Sequence, residues 1–378
     1  MKILIVGAGI GGLTLAAFLK DHEGFEIDII DKTTDWKHLG FTIGIWDVGR
    51  RILSKLDLDD DFDKSGKRFK NYFLSSSNGK QLKLYHFEDF YKKYESAYTH
   101  INRAELHNIL LDKTGVDIKL GTTVNSIEQS TAKVKVIFSD ETTTEYDLVV
   151  GADGLNLEVR KKAFNIDSSS FTGNRVWYSW IPDKYRIDET VFEYVRGSLI
   201  CNIFDDPYSP CMVLTAPEKP GLFDDPQTRI ARLKEKFSHF PIVLEILNTI
   251  KAEDLVPSDI RFVKMKNWVK GRVVLIGDAA HAMEPFAGIG ASMAMEDAYV
   301  LAQELMSAYQ ETEIEKALQR YERRRRPRIE IAHRSTKNRY GWITLGILKF
   351  VPAYEFLAKI VPISHFTKGY KKLLETQP

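Results

Sequence analysis

The feature that most limits how this chain can fold lies at its start, where a short apolar run leads into a glycine-rich turn. Residues 3–6 predict a buried strand, residues 7–12 have the spacing GxGxxG, and residues 13–19 continue as a helix. Residues 27–30 predict a second strand, which ends in Asp31. This order predicts a dinucleotide-binding βαβ unit and therefore an α/β fold.

Each glycine of the turn has a distinct expected role. Gly7 permits the tight turn, Gly9 lets the backbone approach a pyrophosphate, and Gly12 lets the helix pack closely on the strand. Asp31 follows at the distance where a carboxylate accepts hydrogen bonds from an adenosine ribose. The spacing GxGxxG is weak evidence by itself, but strand, helix and terminal acid strengthen it. These residues do not distinguish FAD from NAD.

A second constrained loop lies far along the chain, at residues 277–297, with the sequence GDAAHAMEPFAGIGASMAMED. Residues 273–276 predict a buried strand before it, and residues 291–305 predict a helix within and after it. Asp278, at the end of the strand, can accept hydrogen bonds from ribityl or ribose hydroxyls. An ordinary Asp-capped turn is the structural alternative.

The remainder of this loop favours a bound ligand with partial negative charge. Gly288 and Gly290 let backbone amides approach a ligand without a β-carbon, and Pro285 stiffens the chain. Ala291 begins the predicted helix, whose amino terminus favours negative charge. A simple nicotinamide dehydrogenase has no reason to carry such a loop, so the sequence favours FAD.

The loop resembles the second flavin-contacting motif of the flavoprotein aromatic hydroxylases, the para-hydroxybenzoate hydroxylase-like family, in which GD is followed by P and GxG. The resemblance implies that Asp278 binds the ribityl chain and that backbone at Pro285, Gly288 and Gly290 lines the isoalloxazine ring. Ala291, which follows Gly290 in the chain, is also expected to bind the cofactor.

Two further segments resemble the same family. The first is an R-x-x-L helix near residue 103, which implies that Arg103 contacts FAD; a cation in the first turn of a helix also favours an external anion. The second is Asp153-Gly154, which matches the DG motif near FAD and the nicotinamide pyrophosphate, although Asp153 could also be a turn residue. Leu157 replaces the usual serine of this motif, so nicotinamide handling is expected to differ.

The resemblance implies a discontinuous Rossmann-like, glutathione-reductase-type FAD-binding domain with a mostly β substrate domain inserted twice, followed by C-terminal helices. The expected limits are residues 1–70, 99–170 and 265–335 for the FAD-binding domain, 71–98 and 171–264 for the substrate domain, and 336–378 for the C-terminal segment. Residues 340–366 are apolar but too interrupted to span a bilayer. They are expected to cap the core or substrate entrance, with peripheral membrane contact or dimerisation as alternatives.

Charge and cysteine content limit the partners and the compartment. The 53 basic and 52 acidic residues nearly cancel, so no nucleic-acid partner is expected, and the basic run 321–334 is expected to be balanced by acids near it in sequence. Cys201 and Cys211 flank a predicted hairpin turn, could face each other, and are interpreted as reduced thiols. The chain runs straight into a strand without a leader, which predicts a cytoplasmic protein. No metal site is predicted.

Several side chains have both a functional and a structural interpretation. Asp47 is expected to cap a helix over residues 47–56, on which Arg50 and Arg51 either reach the cofactor or are solvated. His281 is a base or, preferably, a structural donor beside the pyrophosphate. The same choice, between lining a pocket and packing in the core, applies to these aromatic residues: Tyr85, Phe87, Phe90, Tyr91, Trp177, Trp180 and Phe192.

The resemblance implies that NADPH or NADH reduces FAD and that the reduced flavin forms a C4a-hydroperoxide with O2, which hydroxylates an aromatic or polyketide-like small molecule. No single catalytic residue is assigned, because the protein holds the ring, excludes water and orients the substrate. The first alternative is a halogenase or a dehydrogenase/reductase on this fold; the run WYSWIP at 177–182 departs from the halogenase spacing WxWxIP. The second alternative is a non-catalytic FAD-binding protein.

Overall fold

The structure is a computed structural model, and it describes residues 1–36, 40–88, 91–92, 98–156, 158–167, 169–308, 314–344, 356, 359–360 and 371–378. Within these residues the chain forms four β-sheets and a set of helices packed on them. Leu157 and Phe90, for which the sequence raised expectations, lie outside the described residues.

The first sheet has six strands and contains the predicted βαβ unit. Its order is Val269–Lys270, Val273–Leu275, Leu148–Gly151, Lys2–Val6, Glu26–Ile30 and Ile118–Lys119. All neighbours are parallel except the first pair. Its central strands carry continuous apolar runs, because helices and loops cover both faces of such a sheet. The predicted strands and the helix Ile10–Leu19 are confirmed.

Two long helices pack with Ile10–Leu19 on this sheet and bury the largest apolar core. They are Arg103–Thr114 and Gly290–Ser307. The sequence predicts Asn102 as the cap of the first of these helices, and the Asn102 side chain does accept a hydrogen bond from the Ala104 amide (2.8 Å). A three-stranded antiparallel sheet, Val124–Gln129, Val134–Phe138 and Thr143–Tyr146, follows along the chain.

A second three-stranded sheet joins Thr42–Trp46, Tyr98–Asn102 and Gly66–Lys67, and the helices Asp47–Ser54 and Asp59–Ser65 follow its first strand. Asp47 is not the N-cap that the sequence suggested: Trp46 occupies that position, and Asp47 pairs with Arg51 at 2.5 Å. Arg50 pairs with Asp63 at 2.5 Å. These ion pairs support the structural interpretation of both arginines.

The largest sheet has seven strands, in the order Val256–Phe262, Ser170–Trp180, Cys211–Pro217, Leu199–Phe204, Thr190–Arg196, Asn71–Ser76 and Gln81–His86. Every neighbouring pair is antiparallel except Thr190–Arg196 with Asn71–Ser76. The sequence predicts a hairpin over residues 72–85 with its turn at Asn78-Gly79, and strands at residues 175–181, 190–195, 198–204 and 211–216. The structure confirms all of them. The sequence also predicts helices over residues 225–237 and 241–250. The structure has the helices Pro226–Lys236 and Pro241–Leu247, so the second ends three residues early.

The two faces of the seven-stranded sheet have different neighbours. The two helices cover its outer face, where Trp177 and Phe192 pack with Cys201. We call the opposite face the inner face, since it packs toward the three-stranded sheet that contains Thr42–Trp46. Strand register places Cys211 opposite Phe204, and Cys201 opposite Leu214, so the two thiols lie on opposite faces. They therefore do not face each other, as the sequence allowed, and both are free and buried, as the interpretation as reduced thiols predicts.

After the large sheet, the chain forms the short helix Asp278–His281 and the long helix Ile314–Thr344. Single helical turns connect other elements along the chain: Gly154–Asn156, Arg160–Phe164, Asp183–Tyr185, Ala252–Asp254 and Pro285–Ala287. Leu373 and Leu374 are buried in the main core. The predicted apolar segment 340–366 lies almost wholly outside the described residues. Among the described helices, none combines the length and apolar character needed to cross a membrane. The expected domain limits stay a prediction.

Candidate functional site

Three separated segments meet at the carboxyl edge of the six-stranded sheet: the glycine turn, the segment at Asp153, and the loop after residue 277. Gly7 has a φ of +108°, and a β-carbon there would overlap the Ala152 carbonyl. A β-carbon at Gly12 would overlap the Gly7 carbonyl in the same way. A β-carbon on Gly277 would lie 3.0 Å from the side chain of Ala294. The sequence therefore needs glycine here for close packing between the segments.

Two helices begin at this meeting point with open amino termini. Gly9 is the N-cap of Ile10–Leu19, and Gly290 is the first residue of Gly290–Ser307. A β-carbon placed on either glycine would meet no atom within 4 Å. No side chain caps either helix by a hydrogen bond. Free amides at two helix starts suit an anionic group such as a pyrophosphate.

Asp31 lies at the end of Glu26–Ile30, beside the glycine turn, as the fingerprint requires. Its two carboxylate oxygens accept hydrogen bonds from the Ala8 and Thr33 amides, both at 2.8 Å. Each oxygen can accept a further bond. The carboxylate is thus held rigidly at the position expected to face a ribose.

Asp278 lies deep inside the protein, yet its side chain is exposed to solvent. A residue with both properties lines a recess rather than the outer surface. Burial raises the pKa of the Asp278 carboxyl, while the neighbouring charges of Arg103 and Arg160 act in the opposite direction. A solvent-accessible carboxylate therefore lies near cationic side chains in this recess.

Arg160 and Asp153 have polar atoms that the described residues do not satisfy. Arg160 is fully buried and donates from Nη1 to the Ala279 carbonyl at 3.0 Å, but its Nε and Nη2 have no partner there. Asp153 Oδ2 accepts from the Val159 amide at 3.1 Å, and its Oδ1 has no described partner. Burial raises the pKa of Asp153 to about 6. Such orphaned groups fit a site for a polar cofactor.

Arg103 and the second loop contain the remaining residues that the sequence predicts to bind the cofactor. Arg103 is exposed, forms no ion pair within the described part of the chain, and donates its backbone amide to the Phe41 carbonyl (3.1 Å). Pro285 begins the turn Pro285–Ala287, which ends at Gly288 with a φ of +58°. A β-carbon on Gly288 would overlap the Tyr98 hydroxyl. Ala291 follows as the second residue of the helix.

A buried charged network supports the loop from below, and sequence reasoning missed it. Asp297 accepts hydrogen bonds from the Gly277 amide (2.8 Å), from His281 Nε2 (2.5 Å) and from Arg325 Nε (2.7 Å). Although burial opposes the charged form, His281 and Arg325 hold the pKa of Asp297 below its ordinary value. This hydrogen bond gives His281 a structural role. The available signal was an acidic pair, Glu296-Asp297, among the apolar residues of the first three turns of the helix Gly290–Ser307.

The same network explains the basic run at 321–334. Arg325 and Arg328 both pair with Glu296, the second at 2.5 Å, and Arg324 pairs with Glu304 at 2.8 Å. The expectation that acids near the run in sequence balance it is therefore largely wrong, since the partners come from Gly290–Ser307. The pair between Arg326 and Glu322 is the exception.

The sheet order, the glycine turn and the supported second loop define a flavoprotein with a dinucleotide-binding fold. The family described as FAD binding domain matches residues 1–197 and 245–336, which is more than half of the chain, and the chain belongs to this family. It is an enzyme, an FAD-dependent monooxygenase, and FAD is its cofactor.

Three similar proteins illustrate the relationship. The aurachin C monooxygenase/isomerase of Stigmatella aurantiaca is 30% identical over 330 residues, covering 85% of this chain and 84% of that protein. The 2-heptyl-3-hydroxy-4(1H)-quinolone synthase of Pseudomonas aeruginosa is 31% identical over 316 residues, covering 80% of each. The crystal structure of Klebsiella pneumoniae HpxO complexed with FAD and uric acid superposes with a TM-score of 0.89 at 23% identity, covering 100% of this chain and 97% of that one.

Proposed function

We propose that this monooxygenase uses NADPH or NADH and O2 to hydroxylate a flat aromatic small molecule held between the cofactor site and the inner face of the seven-stranded sheet. The observation that carries the proposal is the recess at Asp278, which is deep, open and lined by unsatisfied polar groups. Bound FAD supplies electron transfer from a nicotinamide nucleotide and the activation of dioxygen.

The proposed cofactor contacts follow the recess from one end to the other. The amides at Gly7, Gly9 and Gly12 hold the pyrophosphate, and Asp31 binds the adenosine ribose. Asp278 binds the ribityl hydroxyls. The remaining proposed contacts are Arg103, Asp153, Pro285, Gly288, Gly290 and Ala291. The spare hydrogen-bonding capacity at Asp153 and the open helix starts support this assignment.

Aromatic rings cluster on the inner face of the seven-stranded sheet, beside the segment whose Phe41 carbonyl accepts a hydrogen bond from the Arg103 amide. Phe41 stacks on Tyr178 with ring centres 5.4 Å apart and planes 15° apart, and Trp180 lies 5.2 Å from Phe41. Trp180 is half-buried, on the inner face, and is thus a better wall residue than Trp177 or Phe192. Such rings contact a flat substrate over a large area and exclude water from the reacting atoms.

The names of similar proteins support an aromatic substrate. One relative is a quinolone synthase, and the HpxO crystal structure contains uric acid, so both names refer to flat nitrogen heterocycles. A phenol or a polyketide-like ring system has the same flat shape and belongs to the proposed substrate class.

The first experiment is to purify the protein, record its visible spectrum, and add NADPH or NADH without oxygen in the presence of an aromatic panel. We expect bound flavin whose bleaching is accelerated by a compound of the panel. Aerobic turnover in 18O2 should then place one labelled oxygen atom in that compound. A bound flavin that neither nucleotide reduces would contradict the proposal and favour the halogenase or dehydrogenase alternative.

We also propose a cytoplasmic location, which two free, buried thiols and the use of a nicotinamide nucleotide support. Contact of the C-terminal segment with a membrane or with a second copy is a weaker proposal. Vesicle sedimentation and light scattering of the full chain test it.

A further inference from the structure

The glycine turn has several of its backbone polar groups held in place by the protein itself. The Gly7 amide donates to the Ile30 carbonyl at 2.8 Å, and the Ala8 amide donates to Asp31 Oδ2 at 2.8 Å. The Gly9 carbonyl accepts the first hydrogen bond of the following helix, at 2.9 Å. The Gly9 amide, by contrast, makes no hydrogen bond within the described part of the chain. The turn therefore presents this donor to a ligand.

One further group of the turn, the Ala8 carbonyl, is held by a side chain from a different helix. His107, on the helix Arg103–Thr114, lies with its Nε2 atom 2.9 Å from this oxygen. A carbonyl oxygen only accepts hydrogen bonds, so Nε2 carries the ring proton and donates it. The two residues are 99 positions apart in sequence, so the contact depends on the tertiary structure.

The His107 ring is held in place and stays neutral. It is buried, and the Trp36 ring lies against it with ring centres 4.5 Å apart. Its other nitrogen, Nδ1, is buried and has no hydrogen-bond partner among the described residues. A second proton on this nitrogen would be an unsatisfied buried donor, and burial lowers the pKa of His107. At neutral pH the ring is therefore a fixed donor to Ala8.

The peptide bond between Ala8 and Gly9 connects this donor to the free amide. A peptide group is planar and trans, so its C=O and N–H point in nearly opposite directions. Fixing the Ala8 oxygen on His107 therefore also fixes the direction of the Gly9 N–H. Gly9 has an extended backbone (φ −79°, ψ −176°), and a β-carbon there would meet no atom within 4 Å. Open space thus lies beside the amide whose direction His107 sets.

We propose that His107 is a positioning residue for the cofactor: its hydrogen bond to the Ala8 carbonyl orients the Gly9 amide toward the pyrophosphate of FAD. The inference rests on the proposed cofactor contact at Gly9 and adds a side chain that acts through the backbone of the turn. A donor whose direction is fixed before binding loses less conformational freedom when the ligand arrives, which increases affinity. The role belongs to the Nε2 proton, so another neutral donor at the same place replaces it.

The test compares two substitutions of similar length that differ in one donor. The amide nitrogen of glutamine reaches nearly the position of histidine Nε2, whereas methionine has no donor. Flavin fluorescence titration of the apoproteins measures FAD affinity. We expect His107→Met to weaken FAD binding about 3- to 10-fold, as for a hydrogen bond between uncharged groups, and His107→Gln to keep most of the affinity. His239→Met, at an exposed histidine in the turn after Pro226–Lys236, is the control and should bind FAD like wild type.

A second measurement shows whether His107 acts through the Gly9 amide. Gly9→Ala adds a methyl group in open space, so the apoprotein keeps its fold, but this group obstructs the approach of the pyrophosphate. In the Gly9→Ala background, His107→Met should weaken FAD binding by a smaller factor than in wild type, because the contact that His107 positions is already impaired. Thermal melting of each apoprotein shows whether it folds.

The possible outcomes separate this inference from the proposed function. Unchanged FAD affinity in His107→Met, or equal losses in His107→Met and His107→Gln, would overturn the role of the His107 donor. An equal loss from His107→Met in both backgrounds would show that the ring only supports the fold. Unchanged FAD affinity in Gly9→Ala would refute the proposed pyrophosphate contact itself. Failure of every aromatic compound to accelerate flavin reduction would instead refute the proposed reaction and leave the role of His107 in FAD binding intact.

Discussion

Two groups of interior charges lie on either side of the second loop, and they differ in how the chain satisfies them. Below the loop, Asp297 and Glu296 pair with Arg325, and each polar contact is made within the protein. Above it, Asp278 and Arg160 lie in or beside an open recess, and two guanidinium nitrogens of Arg160 have no partner among the described residues. The paired group supports the fold, and the unsatisfied group is suited to a ligand.

The difference shows that burial and charge alone do not identify a binding site. Asp297 and Asp278 both lie deep in the protein, but their pKa values shift in opposite directions. Burial raises the pKa of Asp278, whereas His281 and Arg325 outweigh burial and lower that of Asp297. What separates the two acids is whether the chain itself supplies the hydrogen-bond donors.

The largest expected effect comes from breaking the paired group. Arg325→Met leaves Asp297 and Glu296 buried without their main cation, which typically costs about 3–5 kcal/mol. We expect the free energy of unfolding of the apoprotein in urea to fall by this amount. Lys119→Met, which removes an exposed ion pair with Asp140, is the control and should have a small effect. Similar losses in both variants would remove the distinction between a supporting network and surface pairs.

Asp278→Asn should weaken FAD binding without destabilising the apoprotein. The apoprotein should be at least as stable as wild type at pH 7, since burial disfavours the charged carboxyl. FAD affinity should fall about 10- to 100-fold, corresponding to about 1.5–3 kcal/mol for a hydrogen bond to a charged group. Flavin fluorescence titration measures it. An unstable apoprotein with unchanged FAD affinity would show that Asp278 belongs with the supporting network.

Asp153 gives a pH dependence that sharpens the same contrast. Its pKa is about 6 in the folded protein and about 3.9 when unfolded, so the folded state binds the proton more tightly. The resulting stability is present below about pH 4 and is lost as the pH rises to about 6. Asp153→Asn should make the apoprotein more stable at pH 7 by on the order of 1–3 kcal/mol, with weaker FAD binding.

Urea unfolding of wild type and Asp153→Asn between pH 4 and 8 measures this difference. The difference in free energy of unfolding between the two proteins should increase from about pH 4 to about pH 6 and stay constant above pH 6. A constant gap over the whole range would mean that Asp153 does not titrate differently in the folded protein.

The smallest expected effect concerns the open helix start. Gly290→Ala should leave the apoprotein unchanged or more stable by up to about 1 kcal/mol, because the new methyl group meets open space. FAD affinity should nevertheless fall, because the backbone at Gly290 is proposed to approach the isoalloxazine ring of FAD. Gly12→Ala, whose β-carbon overlaps the Gly7 carbonyl, is the contrasting variant and should destabilise the apoprotein. Chemical unfolding and FAD titration of both variants separate the two outcomes.

The sequence predicted those parts of the fold that depend on local pattern. The βαβ unit at residues 3–31, the Asn102 cap, and the hairpin and four strands of the seven-stranded sheet between residues 72 and 216 were predicted and are confirmed. It also placed residues of the glycine turn, the Asp153 segment and the second loop in one site, and the structure brings these segments together. Their individual contacts with FAD stay predictions.

Errors arose where a contact depends on elements far apart in sequence. The sequence allowed Cys201 and Cys211 to face each other, but strand register puts them on opposite faces. The basic run was expected to pair locally, but Arg325 pairs across 28 positions with Asp297. Sequence spacing gives neither a register shift nor the partner that a helix face will meet.

The sequence by itself determined that this chain binds a dinucleotide-like cofactor, because glycine spacing, terminal acids and apolar periodicity are local properties of the backbone. Tertiary structure alone decided which charges are satisfied and which remain available to a ligand. It also decided the strand register that puts Cys201 and Cys211 on opposite faces of the large sheet. Those distinctions depend on packing between distant segments, where a hydrogen-bond donor is either supplied or absent.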